Sequence, residues 1–355
     1  GLVDNNNVRY LSVADQEEWY RQEKDTAVGA FINAIPYKHF ARKNLGYLYA
    51  IQHGAKFIFD FDDDNLLPTK DDAGNNSNEN VLPAITNTTH LQGARLVKVE
   101  KSPTSSTGAF NHHPLMGASV EGSWARGLPL QDIQEKSTHG KVVQENVDID
   151  MNSVAVMQFC ANENPDIDAI HRLVHPLPMT FHLPNSNGKN KNPENQQREQ
   201  ISTYGSLVVP SENLAPYNAQ ATLHTHKAMW GLLLPFTVTG RVSDIWRGYF
   251  AEPIFRDLGL SLTFLPPAIL QERNEHNYLA DMHAELDLYF KGGKLLEFLS
   301  TWSSPADNVP ESMEMLWIEL YERGYIELND VKVVQLWLAA LLEIGYEFPV
   351  LKKQQ

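Results

Sequence analysis

Around residue 41 the apolar positions fall into a helical rhythm, and a few residues later that rhythm gives way to an unbroken run. Ala41, Leu45, Leu48, Tyr49 and Gln52 stand at i, i+4, i+7, i+8 and i+11, one face of a helix. His53-Gly54 supplies a stop, with glycine at the position after the cap. Next comes Phe57-Ile58-Phe59, which reads as a strand buried on both faces, and then Asp60, Asp62, Asp63 and Asp64 follow. An unpaired carboxylate is costly to bury. The strand should therefore end near Phe61, at the rim of a sheet, and present its acids there. Ligands of open α/β sheets bind outside the carboxyl ends of the strands. Hard oxygen ligands at such an edge suit Mg²⁺ or Mn²⁺ and, through the metal, a diphosphate. The plainer alternative is a solvated acidic loop. Arg42 and Lys43 lie off the apolar stripe, where they either reach phosphate or line a solvated face.

The remaining pattern is of two kinds. Val8 to Val13, Ala94 to Val99, Val154 to Phe159 and Leu262 to Leu265 read as strands, the last stopping before Pro266-Pro267. Asp15 to Lys24 is a polar helix or loop, and Ala228 to Pro235 is a buried helix end. Leu66 to Thr107 is polar and reads as a long loop or lid; Pro184 to Gln200 has no large apolar residue and reads as irregular. Glu311 to Tyr325 and Asp330 to Tyr346 carry helical stripes, Leu316-Leu320-Tyr321 and Val334-Leu338-Leu341. The expected division is a main α/β domain over 1–302 and a helical extension over 303–355 without chemistry of its own. A βαβ unit takes roughly 30 residues or more. The stretch before the acids leaves little room for one, so the chain is expected to begin after the first strand of its domain.

Composition narrows the partners. The chain has 355 residues and a net charge of −15, which disfavours nucleic acid because phosphate backbones call for a basic footprint. No apolar run reaches the roughly 18 residues of a membrane span. Cys160 stands alone, so no internal disulfide can form, and its apolar surroundings mark it as a buried small hydrophobe. Asn75-Asn76-Ser77 and Asn87-Thr88-Thr89 are glycosylation acceptors that matter only in a secretory lumen.

Several packets carry candidate chemistry. His112-His113 invites a metal, but adjacent side chains of an extended chain point apart and chelate poorly. In Pro165-Asp166-Ile167-Asp168, Asp166 either caps a helix or belongs to a second functional rim, where Asp168 binds sugar hydroxyls or acts as a base. Gly240 to Tyr249 holds Asp244, Arg241, Arg247, Trp246 and Tyr249. Asp244 is there a helix cap, half of an Asp–Arg pair, or a general base in a sugar site.

These blocks together resemble the STELLO glycosyltransferase family. The likeness starts with Arg42 to Lys56 running into Ile58 to Asp64. It continues through Trp124-Ala125-Arg126-Gly127-Leu128-Pro129-Leu130, Pro165 to Arg172, Ala215 to Gln220 and Arg241 to Tyr249, and ends with Arg273 to Tyr278. It covers roughly residues 8 to 302. The acid strand and the Arg126 and Asp166-Ile167-Asp168 packets are also similar to the reversibly glycosylated proteins, the UDP-arabinose mutases, a fold-level analogy.

The resemblance implies a GT-A-like nucleotide-diphospho-sugar transferase fold, a Rossmann-like mixed sheet lacking its first strand, followed by the helical extension. It implies a transferase acting on a nucleotide-sugar donor, a UDP-sugar, and a glycan or protein acceptor. Mn²⁺ or Mg²⁺ would be held by Asp62 and Asp64, with His276 as third ligand. Asp62, Asp63, Arg126, Arg247, Asn218 and Gln220 would contact the donor, and Asp244, with Asp168 as its rival, would be the base. The implied place is the Golgi lumen, with a membrane anchor only upstream of this chain and partners among cellulose synthase-type complexes. A non-catalytic Golgi scaffold is the competing reading. A calcium protein is disfavoured, because the acids lack the alternating spacing of an EF-hand loop. Ala125 stands where the family suggests proline, and the 184–200 loop looks expanded. The transferase picture requires the acids to face a cleft near Asp244 and His276.

Overall fold

The computed structural model describes residues 9–66, 85–99, 107–182, 205–272 and 275–352. Val8, the Asn75 acceptor, the 184–200 loop, Arg273-Asn274 and most of the 66–107 loop lie outside the described residues. Among the described residues, 9–12 form no strand, and the first element is a helix in the stretch 15–24 that was read as helix or loop. Helix α1, Val13–Gln22, begins at Ser12, whose hydroxyl accepts from the Asp15 N–H while the Asp15 carboxylate accepts from the Ser12 N–H. This reciprocal cap outweighs the β-branched pair that suggested a strand. Helix α2, Ala27–Ala34, buries Val28, Phe31 and Ile32. Helix α3, Lys43–Gln52, buries Leu45, Tyr47, Leu48 and Ile51, so Tyr47 rather than Tyr49 faces inward. It stops as expected: Gly54 has φ 79°, its N–H donates to the Ile51 carbonyl, and the Ala55 N–H donates to that of Ala50.

The sheet orders its strands β1 (Phe57–Asp60), β7 (Thr222–Thr225), β5 (Val154–Glu163), β8 (Ser261–Gln271), β6 (Leu207–Val209), β3 (His90–Lys98) and β4 (Lys141–Asp150). Strand β2, Asn65–Leu66, pairs with the far end of β8. β1 and β5 both run antiparallel to β7, and β5 runs parallel to β8. The C-terminal ends of β1, β5 and β8 therefore share one rim, with Asp60, Gln158 and Phe264 level through Thr222. β1 pairs with β7 alone among the described residues, and Phe57 and Phe59 are half-buried rather than enclosed on both faces.

β8 continues through Pro266-Pro267 instead of ending there. The ladder to β5 skips from Leu265 opposite Phe159 to Ile269 opposite Ala161. The prolines sit inside that irregularity, where a missing N–H removes no ladder bond.

Val156 and Cys160 of β5 face a large core that also holds α3 and helix α5, Gly240–Leu258; Met157, Phe159 and Ala161 face a smaller one with Leu91 and Leu223. The architecture is α/β with a mixed sheet, consistent with a GT-A-like fold, and the helical C-terminal region is present. Helix α4 is Ala169–Val174, α6 is Tyr278–Ala284, α7 is Leu286–Thr301, α8 is Val309–Glu322 and α9 is Leu328–Glu343. Helices α7, α8 and α9 share the large core. Trp337 lies 5.3 Å from the ring of Phe31, and its indole N–H donates to the Trp230 carbonyl at 2.8 Å. No helix among the described residues is long and apolar enough to cross a membrane.

Candidate active site at the strand rim

The acids form a turn laid across the rim. The Asn65 N–H donates to the Asp62 carbonyl, and the Asn65 amide oxygen accepts from the Asp62 N–H at 3.0 Å. β2 then anchors the turn to β8, with Asn65 opposite Gln271, and the Glu272 N–H donates to the Asp64 carbonyl. The chain thus leaves β1, passes over the ends of β7 and β5, and docks on β8.

The acids have unlike fates. Asp60, absent from the sequence-derived site, is buried as a structural anion. It bonds Lys43 at 2.7 Å, Arg247 at 3.1 Å and the Tyr47 hydroxyl at 2.6 Å. Burial alone would raise its pKa; Lys43 and Arg247 outweigh it and hold the carboxyl below its usual range. Asp62 is 38% exposed and reaches Lys43 at 3.1 Å. Its pKa is lifted to about 6 by burial of the carboxyl, with Asp244 and Asp60 adding to the rise and Lys43 opposing it. Asp62 and Asp244 are thus within electrostatic reach. Asp63 points to solvent. Asp64 is held by the Asn65 amide at 3.3 Å and the Gln271 amide at 3.1 Å.

A second cluster gathers side chains from distant segments. Arg126 lies between two carboxylates. Its Nε and Nη2 meet Asp166 at 2.8 and 2.7 Å, and its Nη2 and Nη1 meet Asp244 at 2.8 and 3.1 Å. Burial would lower the guanidinium pKa, but the two acids hold it well above its ordinary value. Asn218 donates to Asp166 at 2.5 Å, and the Ala219 N–H donates to Asp244 at 3.2 Å. Glycines permit this closeness. Gly127 has φ 94°, and a Cβ there would stand 2.4 Å from Ile245 Cγ2. A Cβ on Gly248 would stand 2.8 Å from the Tyr217 carbonyl.

Asp244 is therefore half of an Asp–Arg pair inside α5, whose cap is Thr239. Asp168, not Asp166, caps the short helix: it accepts from the His171 N–H at 2.8 Å and from the Trp124 indole at 2.5 Å. Burial lifts its pKa to about 6. Arg247, assigned from sequence to phosphate or sugar, is wholly buried and taken up by Asp60, Tyr47 and the Asn218 carbonyl. Arg42 is directed away, to Gln16 and the Ile35 carbonyl.

A pocket opens beside this cluster. Its polar lining includes Arg126, Gln158, Asn218 and Gln220, with Phe159 and Phe181 as apolar walls. His112 and His113 also line it, and neither acts as a metal ligand pair. His112 stacks on Phe264 at 3.8 Å, while His113 meets the Ser123 hydroxyl at 2.6 Å. Burial lowers the pKa of His112 to about 3.

His276 lies apart, exposed and 3.3 Å from Asp281. Among the described residues no three His, Cys, Asp or Glu side chains converge on a metal position, so Asp62, Asp64 and His276 do not form a three-ligand set. The rim nevertheless fits a hard divalent ion. Asp62 and Asp64 are partly exposed oxygen donors, and the Gln271 amide oxygen beside Asp64 is buried without a hydrogen bond. Mg²⁺-type ions use one or two carboxylates and take their other ligands from phosphate and water. Sequence reasoning gave no role to Asp60 as a buried anion or to Gln271, and it favoured Asp166 as the helix cap, with no phase by which to assign it to Arg126 and the cap to Asp168.

Residues 241–355 match the family model of the STELLO glycosyltransferases, a match that takes in the C-terminal helices set apart in the sequence reading. The chain is 28% identical over 326 residues to an Arabidopsis thaliana protein described as "Probable glycosyltransferase STELLO2", covering 90% of this chain and 38% of that relative. It is 27% identical over 319 residues to "Probable glycosyltransferase STELLO1" of the same plant, with the same two coverages. The chain thus spans well under half the length of these relatives.

Proposed function

We propose that this chain is a glycosyltransferase of the STELLO type, to which it is similar, and that its strand rim carries out metal-assisted transfer of a sugar from a nucleotide-sugar donor, a UDP-sugar, to a glycan or protein acceptor. The observation that supports this most directly is the position of the acid turn: Asp62 and Asp64 cross the C-terminal ends of β1, β5 and β8, and Asp62 lies within electrostatic reach of Asp244, whose partner Arg126 lines a polar pocket. Asp62 and Asp64 would hold Mn²⁺ or Mg²⁺, which when bound neutralises charge on the departing diphosphate. Lys43, 26% exposed and already touching Asp62, adds a fixed positive charge at the same edge. The Gln158, Asn218 and Gln220 amides line the place for sugar hydroxyls. In an inverting transfer Asp244 takes the proton of the attacking acceptor hydroxyl: of the two acids whose charge reaches Asp62, Asp60 is committed to Lys43, Arg247 and Tyr47. Asp168 holds the Trp124 segment in this scheme. Arg247 acts by fixing Asp60 at the strand end.

The location in the Golgi lumen and the association with cellulose synthase-type complexes come from the resemblance and belong to the same proposal. Calorimetry with UDP and Mn²⁺ tests it: Asp64→Ala should lose metal-dependent binding while the fold survives, and undiminished affinity would refute the assignment. Slow hydrolysis of a UDP-sugar by the chain separates an enzyme from a scaffold.

A further inference from the structure

Gln271 is the last residue of β8, paired in register with Asn65 immediately after the acid turn. It is 6% exposed. Its Nε2 donates to Asp64 Oδ2 at 3.1 Å, while its Oε1 is buried and accepts no hydrogen bond. Leaving a buried acceptor unsatisfied destabilises a fold, so each such atom in a folded chain calls for a reason. The chemistry of this atom supplies one. A side-chain amide oxygen is a neutral hard donor of the kind that joins carboxylates around divalent ions. It stands next to the carboxylate of Asp64, whose other oxygen is already steadied by Asn65.

We propose that Gln271 Oε1 is a protein ligand of the rim cation alongside Asp62 and Asp64, in the place that the resemblance implied for His276. The inference rests on the metal-assisted reading above. Oxygen and nitrogen of an amide occupy nearly the same space, and a half-turn about the last side-chain bond exchanges them. One side chain can therefore steady Asp64 through its nitrogen and serve an ion through its oxygen. The β2–β8 ladder fixes the backbone from which it acts, whereas His276 is exposed and tied to Asp281.

The test is Mn²⁺ binding to the whole chain, by calorimetry and by loss of the free-Mn²⁺ paramagnetic signal, with and without UDP. Gln271→Ala is expected to weaken Mn²⁺ binding by about 10–100-fold. His276→Ala is expected to leave it unchanged. Gln271→Glu distinguishes a ligand from a prop. Glutamate cannot donate to Asp64 but offers a charged oxygen, so a ligand role gives affinity at or above wild type and a larger rise in melting temperature with Mn²⁺. A prop role gives the same loss as Gln271→Ala. The proposal is overturned if Gln271→Ala binds like wild type, or if Gln271→Glu binds as poorly as Gln271→Ala. Binding that Asp64→Ala abolishes but Gln271→Ala spares overturns this inference alone. A wild-type chain that takes up no Mn²⁺, with or without UDP, overturns the metal-assisted reading along with it.

Discussion

The acid turn and the Arg126 cluster lie within electrostatic reach of each other, yet they treat charge in opposite ways. Around Arg126 the guanidinium and its two acids meet through paired hydrogen bonds in a nearly dry setting. In the turn Asp62 and Asp64 are partly exposed, held by single long contacts from Lys43, Asn65 and Gln271. A saturated cluster fixes the geometry of the segments it joins; an under-bonded one keeps capacity for a ligand. The same residue types are therefore fully bonded in one place, where Asp244 is held in register for its proposed proton transfer, and left open to a ligand in the other.

The largest expected effect breaks the open side. Asp64→Ala should abolish UDP binding that depends on Mn²⁺, with the circular dichroism spectrum unchanged. Breaking the closed side should appear as instability instead. Arg126→Met strands two buried carboxylates and should cost about 3–5 kcal/mol in urea unfolding.

Acid should weaken the closed interior as well. His112, His171 and His224 are buried, and burial lowers each pKa to about 3. They stay neutral in the fold while the unfolded chain takes up protons below about pH 6.5. Their contribution to stability is complete above that pH and falls as pH drops, by about 2 kcal/mol per histidine at pH 5. Asp168 opposes this: with its pKa raised to about 6, it favours the fold as pH falls from there toward 3.8. Unfolding at pH 7 and pH 5 measures the balance, and His224→Leu should remove one histidine's share of the slope.

The smallest effect sharpens the comparison at the boundary. Lys43→Gln removes a cation that competes at Asp62, so Mn²⁺ alone should bind several-fold more tightly at low salt. Asp60 keeps Arg247 and Tyr47, and the loss of stability should stay near 1–2 kcal/mol.

Local patterns made part of this legible. The α3 stripe, the stop at Gly54, the strand into the acids and the stripes of α8 and α9 are each written over neighbouring residues. The capping pair Ser12 and Asp15 was also readable, but a short β-branched stretch suggested a strand instead. The site was less legible, because Arg126, Asp166, Asn218 and Asp244 meet only after folding. Choosing Asp166 or Asp168 as the cap depends on a two-residue phase that neither composition nor spacing records. Gln271 gave no signal, since its significance comes from the strand opposite it. The prolines of β8 misled because a ladder irregularity, invisible in the sequence, accommodates them.

The shared core of the last helices has a practical side. Trp317 packs against Phe250 at 5.7 Å, Tyr325 against Trp246 at 5.8 Å, and the Tyr346 hydroxyl donates to the His226 carbonyl. Trimming the polypeptide at Trp302 for expression would strip a greasy wall from the very helix that carries Asp244 and Arg247. The shortest fragment worth purifying runs at least to Tyr346, and any tag belongs beyond that point.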